Sequence, residues 1–216
     1  MYFKKVPSFF SIIYPKAIWN LSESQRIYLT FDDGPNPDST PALLNALDQL
    51  SIKANFFCLG HRAEKYPELV TEIIQRGHCL GHHGYRHLSG WTTDYDTYIQ
   101  NVKKSSTVID SIFYRPPYGR MTYRQYRTLS KKYKVIMWDN MPGDFDPLLT
   151  DRQVLKNLEA NTSPGSVIVM HDTLQSWSKN QNILSAFKSH IDTLKLDFGL
   201  LSDAISSEEK LLDRSY

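Results

Sequence analysis

An excess of charge of either sign is missing from this 216-residue chain: 25 basic residues meet 23 acidic ones, for a formal net charge of +2 at pH 7. So small and unclustered a surplus argues against nucleic acid as the main partner and for a neutral or weakly charged one. Cysteine is scarce. Cys58 and Cys79 are the only two, both in stretches that read as strands, so each is expected as a free buried thiol without a disulfide. No Gly-x-Gly-x-x-Gly follows a strand and no Gly-Lys-Ser/Thr loop is present, which removes the usual anchors of nucleotide cofactors. No apolar run reaches transmembrane length. Lys4 and Lys5 precede an apolar stretch, but Pro7, Ser11 and Pro15 interrupt it and no small-residue cleavage pattern follows. A secretory signal is therefore not legible, and the sequence alone points to the cytoplasm. Repeats and low-complexity stretches are also absent.

What is present describes a soluble globular protein: 41% hydrophobic and 22% charged residues. A chain of this length buries roughly 70% of its unfolded surface, enough for one self-sufficient core, so any metal is expected to serve chemistry rather than folding. The aromatic share of 12%, with 13 Tyr and 4 Trp, suits hydroxylated rings such as sugars, although aromatics also fill cores. No acid precedes Glu23, while Phe3, Phe9, Phe10, Ile12, Ile13, Ile18 and Trp19 gather around Lys4, Lys5 and Lys16. Residues 1–24 are read as an arm packing on a domain of residues 25–216, with a weak membrane-surface contact through residues 1–20 as the other reading.

From Arg26 onward, β-rich runs alternate with helical patterns. Strands are predicted at Ile27–Phe31, Ala54–Leu59, around Cys79, and at Ile112–Tyr114, Val135–Trp138, Val167–Met170 and Phe198–Leu201. Between them come helices: one capped by Thr40 with Pro41 next, one opened by Pro67 and closed by Gly77, then Tyr95–Ile109, Tyr123–Tyr133, Val154–Leu158 and Ile183–Leu194. About seven such units in this length suit a closed or nearly closed (β/α) barrel better than an open doubly wound sheet.

Such folds carry their chemistry on the loops after the strands. The first strand ends in Thr30-Phe31-Asp32-Asp33-Gly34-Pro35. That could be an ordinary turn, but adjacent carboxylates repel unless a cation or a base sits with one of them, which suggests a metal ligand beside a general base. His78, His82, His83 and His87 place four of the seven histidines within ten residues. His83-x-x-x-His87 brings two imidazoles together if the loop takes a helical turn, and two histidines plus a carboxylate suit an open catalytic zinc site. His82 reads as structural. In Arg115-Pro116-Pro117-Tyr118-Gly119, the prolines stiffen a turn and free the Tyr118 N–H for a ligand, or else form a rigid connection with Arg115 on the surface. Asp144-Phe145 and Val169-Met170-His171-Asp172 offer a histidine that a carboxylate could orient as general acid.

Taken in order, these five motifs resemble the polysaccharide deacetylase family, the NodB-homology group of carbohydrate esterase family 4, over residues 26 to 205. The resemblance implies a distorted (β/α) barrel and metal-dependent removal of acetyl groups from N-acetylglucosamine polymers or acetylated xylan. It assigns Asp33, His83 and His87 as ligands of a divalent metal, zinc first with cobalt or nickel as alternatives. Asp32 would be the general base and Arg115 the residue orienting it. His171 would be the general acid, held by Asp144, with the Tyr118 N–H at the oxyanion and Phe145 and Val169 lining an acetyl pocket. The implied partner is an acetylated oligo- or polysaccharide, met by a monomer, and the resemblance also brings in the cell envelope as a location.

The chain departs from the family pattern at four places. His82 stands where Asn is usual, Phe145 for Trp and Val169 for Leu, and the last two imply a slightly roomier acyl pocket. Gly84 replaces Ser or Thr and so forgoes a hydroxyl that helps fix the histidine loop, a loss expected to weaken metal binding. An N-acetylglycan deacetylase is the leading reading. Beside it stand an O-acetyl esterase of xylan type, an amidase of small molecules, and a non-catalytic glycan-binding protein on the same scaffold.

Overall fold

The computed structural model describes residues 3–7, 10–22 and 24–205. After a short helix α1 (Phe10–Ile13), seven strands form one parallel sheet: β1 (Arg26–Asp32), β2 (Asn55–Cys58), β3 (Cys79–His82), β4 (Phe113–Tyr114), β5 (Lys134–Val135), β6 (Val167–His171) and β7 (Asp197–Phe198). Their order is β5-β4-β3-β2-β1-β6, with β7 on β1. β1 is central and buried from Ile27 to Asp32, which is why it reads as a near-continuous apolar run rather than an alternating one.

Helices α2 (Thr40–Gln49), α3 (Gly60–Lys65), α4 (Pro67–Gln75), α5 (Tyr95–Val108), α6 (Tyr123–Leu129), α7 (Asp151–Asn161) and α8 (Leu174–Thr193) connect the strands. Each longer helix buries one stripe, as with Leu43, Leu44 and Leu47 of α2. This is the α/β barrel-type architecture expected: a curled parallel sheet with surrounding helices.

Register fixes where chemistry can occur. Asp32 pairs with His171 on one side and Phe57 on the other, Cys58 pairs with His82, and His82 with Tyr114. The carboxyl ends of five strands therefore share one rim, and the loops bearing the five motifs leave from it together. The segment after β5 completes the curl: Ile136 N–H donates to Tyr114 O at 2.8 Å, and Val169 N–H to Asn140 O at 2.9 Å.

Several local expectations change. The strand predicted to reach Trp138 ends at Val135: Ile136 still bonds Tyr114 O, while Ile18 bridges alongside it and takes the Met137 N–H at 2.7 Å. Thr40 is the first helical residue of α2 and not its cap: Ser39 holds that place without a side-chain cap, because both hydroxyls bond Asp172. α3 carries no apolar stripe and was not predicted. α8 begins at Leu174 because Thr173 caps it through Ser176 N, ahead of polar turns that hide its start. Both cysteines are buried and free.

The N-terminal residues lie along the rim. Val6 N–H donates to Asp139 O at 2.8 Å, Met141 N–H to Lys4 O at 2.9 Å, and Lys5 Nζ reaches Asp139 Oδ2 at 2.9 Å. Phe9, and the side chain of Phe10, lie outside the described residues. Among the described residues, no helix is long and apolar enough to cross a membrane.

Candidate active site

β1 delivers Asp32 to the rim with its side chain buried. There Arg115 Nη1 donates to Asp32 Oδ1 at 2.7 Å and to Thr30 Oγ1 at 2.5 Å. Arg115 is fully buried, not at the surface: its Nε and Nη2 donate to Ile136 O and Met137 O at 3.3 and 3.1 Å, and its guanidinium lies 4.1 Å from the Phe57 ring centre. Burial lowers the Arg115 pKa, and the Asp32 carboxylate opposes that shift. The planar fork meets four acceptors at fixed angles, which a flexible ammonium could not do.

Asp33 turns away at φ 74°, a left-handed conformation that is rare for a non-glycine residue and here separates two adjacent carboxylates. Its Oδ1 lies 3.5 Å from His87 Nε2 and 3.9 Å from His83 Nε2, and the two imidazole nitrogens are 3.2 Å apart. The loop between them does not take the expected helical turn. It bends at Gly84, φ 79°. His83 Nδ1 is 2.8 Å from Arg115 O, which places its proton there and leaves Nε2 a bare acceptor. Burial, first, lowers the pKa of both imidazoles and keeps them neutral.

Asp33 Oδ1 is buried with no hydrogen-bond partner. Three acceptors converging on one point, one of them a buried orphan, cost free energy unless a cation sits among them. One carboxylate and two neutral imidazoles suit zinc with an open position.

Across the site, His171 Nδ1 lies 2.9 Å from Asp144 Oδ1, and its backbone N–H donates to Asp144 Oδ2 at 2.7 Å. Burial pulls the imidazole pKa down, but the Asp144 carboxylate more than offsets it, raising the value to about 9. Phe145 packs edge-on against this ring at 4.9 Å. The Pro116–Pro117 turn holds Tyr118 at φ 58°. The turn's hydrogen bonds come from Gly119 and Arg120 N–H, and the Tyr118 N–H just before them stands outside that ladder. Asp32, Asp33, His83, His87, Tyr118, Phe145, Val169 and His171 line one cavity of about 610 Å³. Arg115 and Asp144 stand behind it. Phe3, Val6, Tyr14 and Trp19 supply a further wall.

Two supporting residues carried no sequence signal, and a third, Thr30, stood in the first motif without a role. Asn101 on α5 holds the histidine loop by accepting from Arg86 N–H at 2.8 Å and donating to Arg86 O at 2.9 Å. Asn180 on α8 donates to Asp144 Oδ2 and His171 O. Thr30 shares Arg115 with Asp32. His82 is structural in its surroundings, buried between the Tyr114 and Tyr133 rings, with burial lowering its pKa to about 3.

A curled parallel sheet whose rim carries a paired carboxylate, a carboxylate-bound histidine and a three-donor cluster has the architecture of the carbohydrate esterase family 4 barrel fold. The family model for polysaccharide deacetylase matches residues 21–138, and the chain belongs to that family. It is 34% identical over 155 residues to a peptidoglycan-N-acetylglucosamine deacetylase of Bacillus cereus, covering 68% of this chain and 56% of that protein. The chain thus spans little more than half the length of that relative. It is 28% identical over 160 residues to a chitooligosaccharide deacetylase of Rhizobium leguminosarum bv. trifolii, covering 70% of this chain and 73% of that one. Among solved structures, the Bc1960 peptidoglycan N-acetylglucosamine deacetylase in complex with a naphthyl benzohydroxamate superposes with a TM-score of 0.84 at 28% identity, covering 90% of this chain and 95% of that one.

Proposed function

We propose that this protein is a metal-dependent hydrolase that removes acetyl groups from an N-acetylated glycan of the N-acetylglucosamine type. One observation carries the reading: a buried acceptor cluster stands between a carboxylate held by arginine and a histidine held by carboxylate, all around one cavity. The relatives named for peptidoglycan and chitooligosaccharide deacetylation support the choice of substrate class.

Asp33, His83 and His87 would hold the cation. When bound, a divalent metal supplies Lewis acidity toward the acyl oxygen and lowers the pKa of water toward roughly 7. The chain's own residues do the rest. Asp32, fixed by Arg115, takes the proton of the attacking water. The Tyr118 N–H donates to the carbonyl oxygen as negative charge grows there. His171, with its pKa near 9, is protonated at neutral pH and hands its proton to the sugar nitrogen as the carbon–nitrogen bond breaks. Phe145 and Val169 face the acyl methyl and exclude water from it.

The test is acetate release from N- and O-acetylated oligosaccharides with chelator, and again after zinc is restored. Release from the N-acetylated set that chelation abolishes and zinc recovers is expected. Release only from O-acetylated xylan moves the reading to an esterase, and no release from any glycan with zinc present overturns it.

A further inference from the structure

The N-terminal wall of the cavity has an outer side. Tyr14 donates its hydroxyl to Met121 O and lies 4.9 Å from the Tyr126 ring, and Lys16 N–H donates to the Tyr126 hydroxyl at 2.6 Å. These contacts fix the N-terminal residues against α6. Two positions before Tyr14, Ile12 is 79% exposed. Phe3, Ile13, Trp91 and Tyr118 line the cavity and are exposed too, and Tyr123 opens α6 with its ring 6.2 Å from Tyr126. Six of the eleven exposed large apolar side chains among the described residues thus gather around one opening. Such residues need no explanation when scattered singly, but a cluster marks a contact surface.

The charge of the same region is of one sign. Residues 1–22 hold exposed Lys4 and Lys16 and no acid, and residues 111–138 hold exposed Arg120, Arg124, Arg127 and Lys131 and no acid either. Among the described residues, none of these six cations pairs with a carboxylate. The exposed acids on the neighbouring element, Asp94 and Asp96, stand at the start of α5, where Asp94 is committed to capping it through Thr97 N–H at 3.0 Å. Cations and rings interleave: the Arg120 guanidinium lies 5.0 Å from the Trp91 ring centre, and that of Arg124 lies 4.0 Å from the Tyr95 ring centre.

We infer that this rim docks on an anionic lipid surface, with Phe3, Ile12, Ile13 and Trp91 entering the headgroup layer and the six cations facing lipid phosphates. The inference goes beyond the deacetylase reading and does not rest on it. Aliphatic and aromatic side chains ringed by Lys and Arg, with acids excluded, are what such a surface selects, and Trp and Tyr favour the boundary between apolar and wet. Two other occupants fit less well. A glycan is met by flat rings and hydrogen-bond donors, and the adjacent isoleucines offer neither. A second copy of the chain, closing on the same patch, would set these cations against their own kind. The cavity then opens at the membrane, toward sugars held close to the headgroups.

The test is co-sedimentation of the full chain with phosphatidylcholine vesicles and with vesicles of equal parts phosphatidylcholine and phosphatidylglycerol, at low and high salt. The wild type is expected to partition onto the mixed vesicles far more than onto the neutral ones, and less so at high salt. R124Q/R127Q/K131Q should lower the partition coefficient about 100-fold at low salt. Ile12→Asp should lower it about 10-fold at either salt. Both variants should release acetate from chitohexaose as the wild type does, which shows that they fold. Brominated lipid should quench tryptophan fluorescence in the wild type and much less in Trp91→Phe. Absence of the wild type from the mixed vesicles overturns the inference, as does binding that neither variant weakens or quenching that Trp91→Phe leaves unchanged. A wild-type dimer that Ile12→Asp dissolves, without vesicle binding, gives the rim to self-association instead. Chitohexaose binding that the triple variant weakens, again without vesicle binding, gives it to a glycan. Vesicle binding is read without turnover, so a chain that releases no acetate refutes the deacetylase reading and leaves this inference to its own result.

Discussion

Arg115 Nη1 and Asp32 Oδ1 lie 2.7 Å apart with both side chains buried, so the carboxylate proposed as base and the arginine that holds it form one charged unit that neither partner can leave cheaply. Deleting one half strands the other charge in the interior, at a cost of about 3–5 kcal/mol. Arg115→Ala is therefore expected to lower the melting temperature sharply. Asp32→Asn keeps shape and loses the base, so kcat falls on the order of 10² or more while metal content, set by Asp33, His83 and His87, stays at wild type. Near wild-type turnover, measured beside metal content by plasma mass spectrometry, rejects Asp32 as base.

The His171–Asp144 pair gives a pH test. The imidazole pKa is raised in the fold from 6.5 to about 9, so the folded state binds the proton more tightly than the unfolded one. The stabilisation is fully present below about pH 6.5 and fades as pH rises through about 9. In Asp144→Asn the largest favourable interaction is gone and burial dominates, so the His171 pKa falls below its ordinary value. An NMR titration of the metal-free protein reads this directly. A His171 resonance still titrating near 9 in Asp144→Asn removes Asp144 from its assigned role. His171→Ala is expected to lose about 10² in kcat.

Gly84 changes meaning once seen in place. The missing hydroxyl suggests a weakened metal site, yet Asn101 supplies the loop's hydrogen bonds from α5. A side chain at Gly84 would meet Asn101 Nδ2 at 2.8 Å, at a φ of +79°. Gly84→Thr is therefore expected to weaken zinc binding instead of improving it, and Asn101→Ala to weaken it about 10- to 100-fold. Competition with a chromogenic chelator measures both. Tighter binding by Gly84→Thr contradicts this account.

Much of the site was legible because its residues are fixed by strand ends. Asp32, Asp33 and His171 follow apolar runs whose type and limits the period of burial reveals, and parallel pairing puts such ends on one rim. Asn101 and Asn180 were not legible, because each acts from the inner face of a helix, where one amide among apolar positions carries no pattern. α3 escaped because six residues without an apolar stripe have no period to detect.

The wall made by the N-terminal residues hangs on Asp139. Its carboxylate accepts from Lys5 Nζ, Asn20 Nδ2 and Val167 N–H, each at 2.9 Å, and from Ser166 Oγ at 3.1 Å. The lysine contact is half exposed and worth under about 1 kcal/mol, but the Ser166 and Val167 donors would be left buried without this acceptor, each costing about 1–3 kcal/mol, and the half-buried Asn20 amide would lose it too. Lys5→Ala should thus change little, whereas Asp139→Ala should lower the melting temperature and speed tryptic cleavage after Lys4, Lys5 and Lys16. Because Phe3, Val6, Tyr14 and Trp19 line the cavity, the same variant should raise KM for a long oligosaccharide more than for a disaccharide. Equal, small effects of Lys5→Ala and Asp139→Ala would falsify the claim that one buried carboxylate fixes this wall.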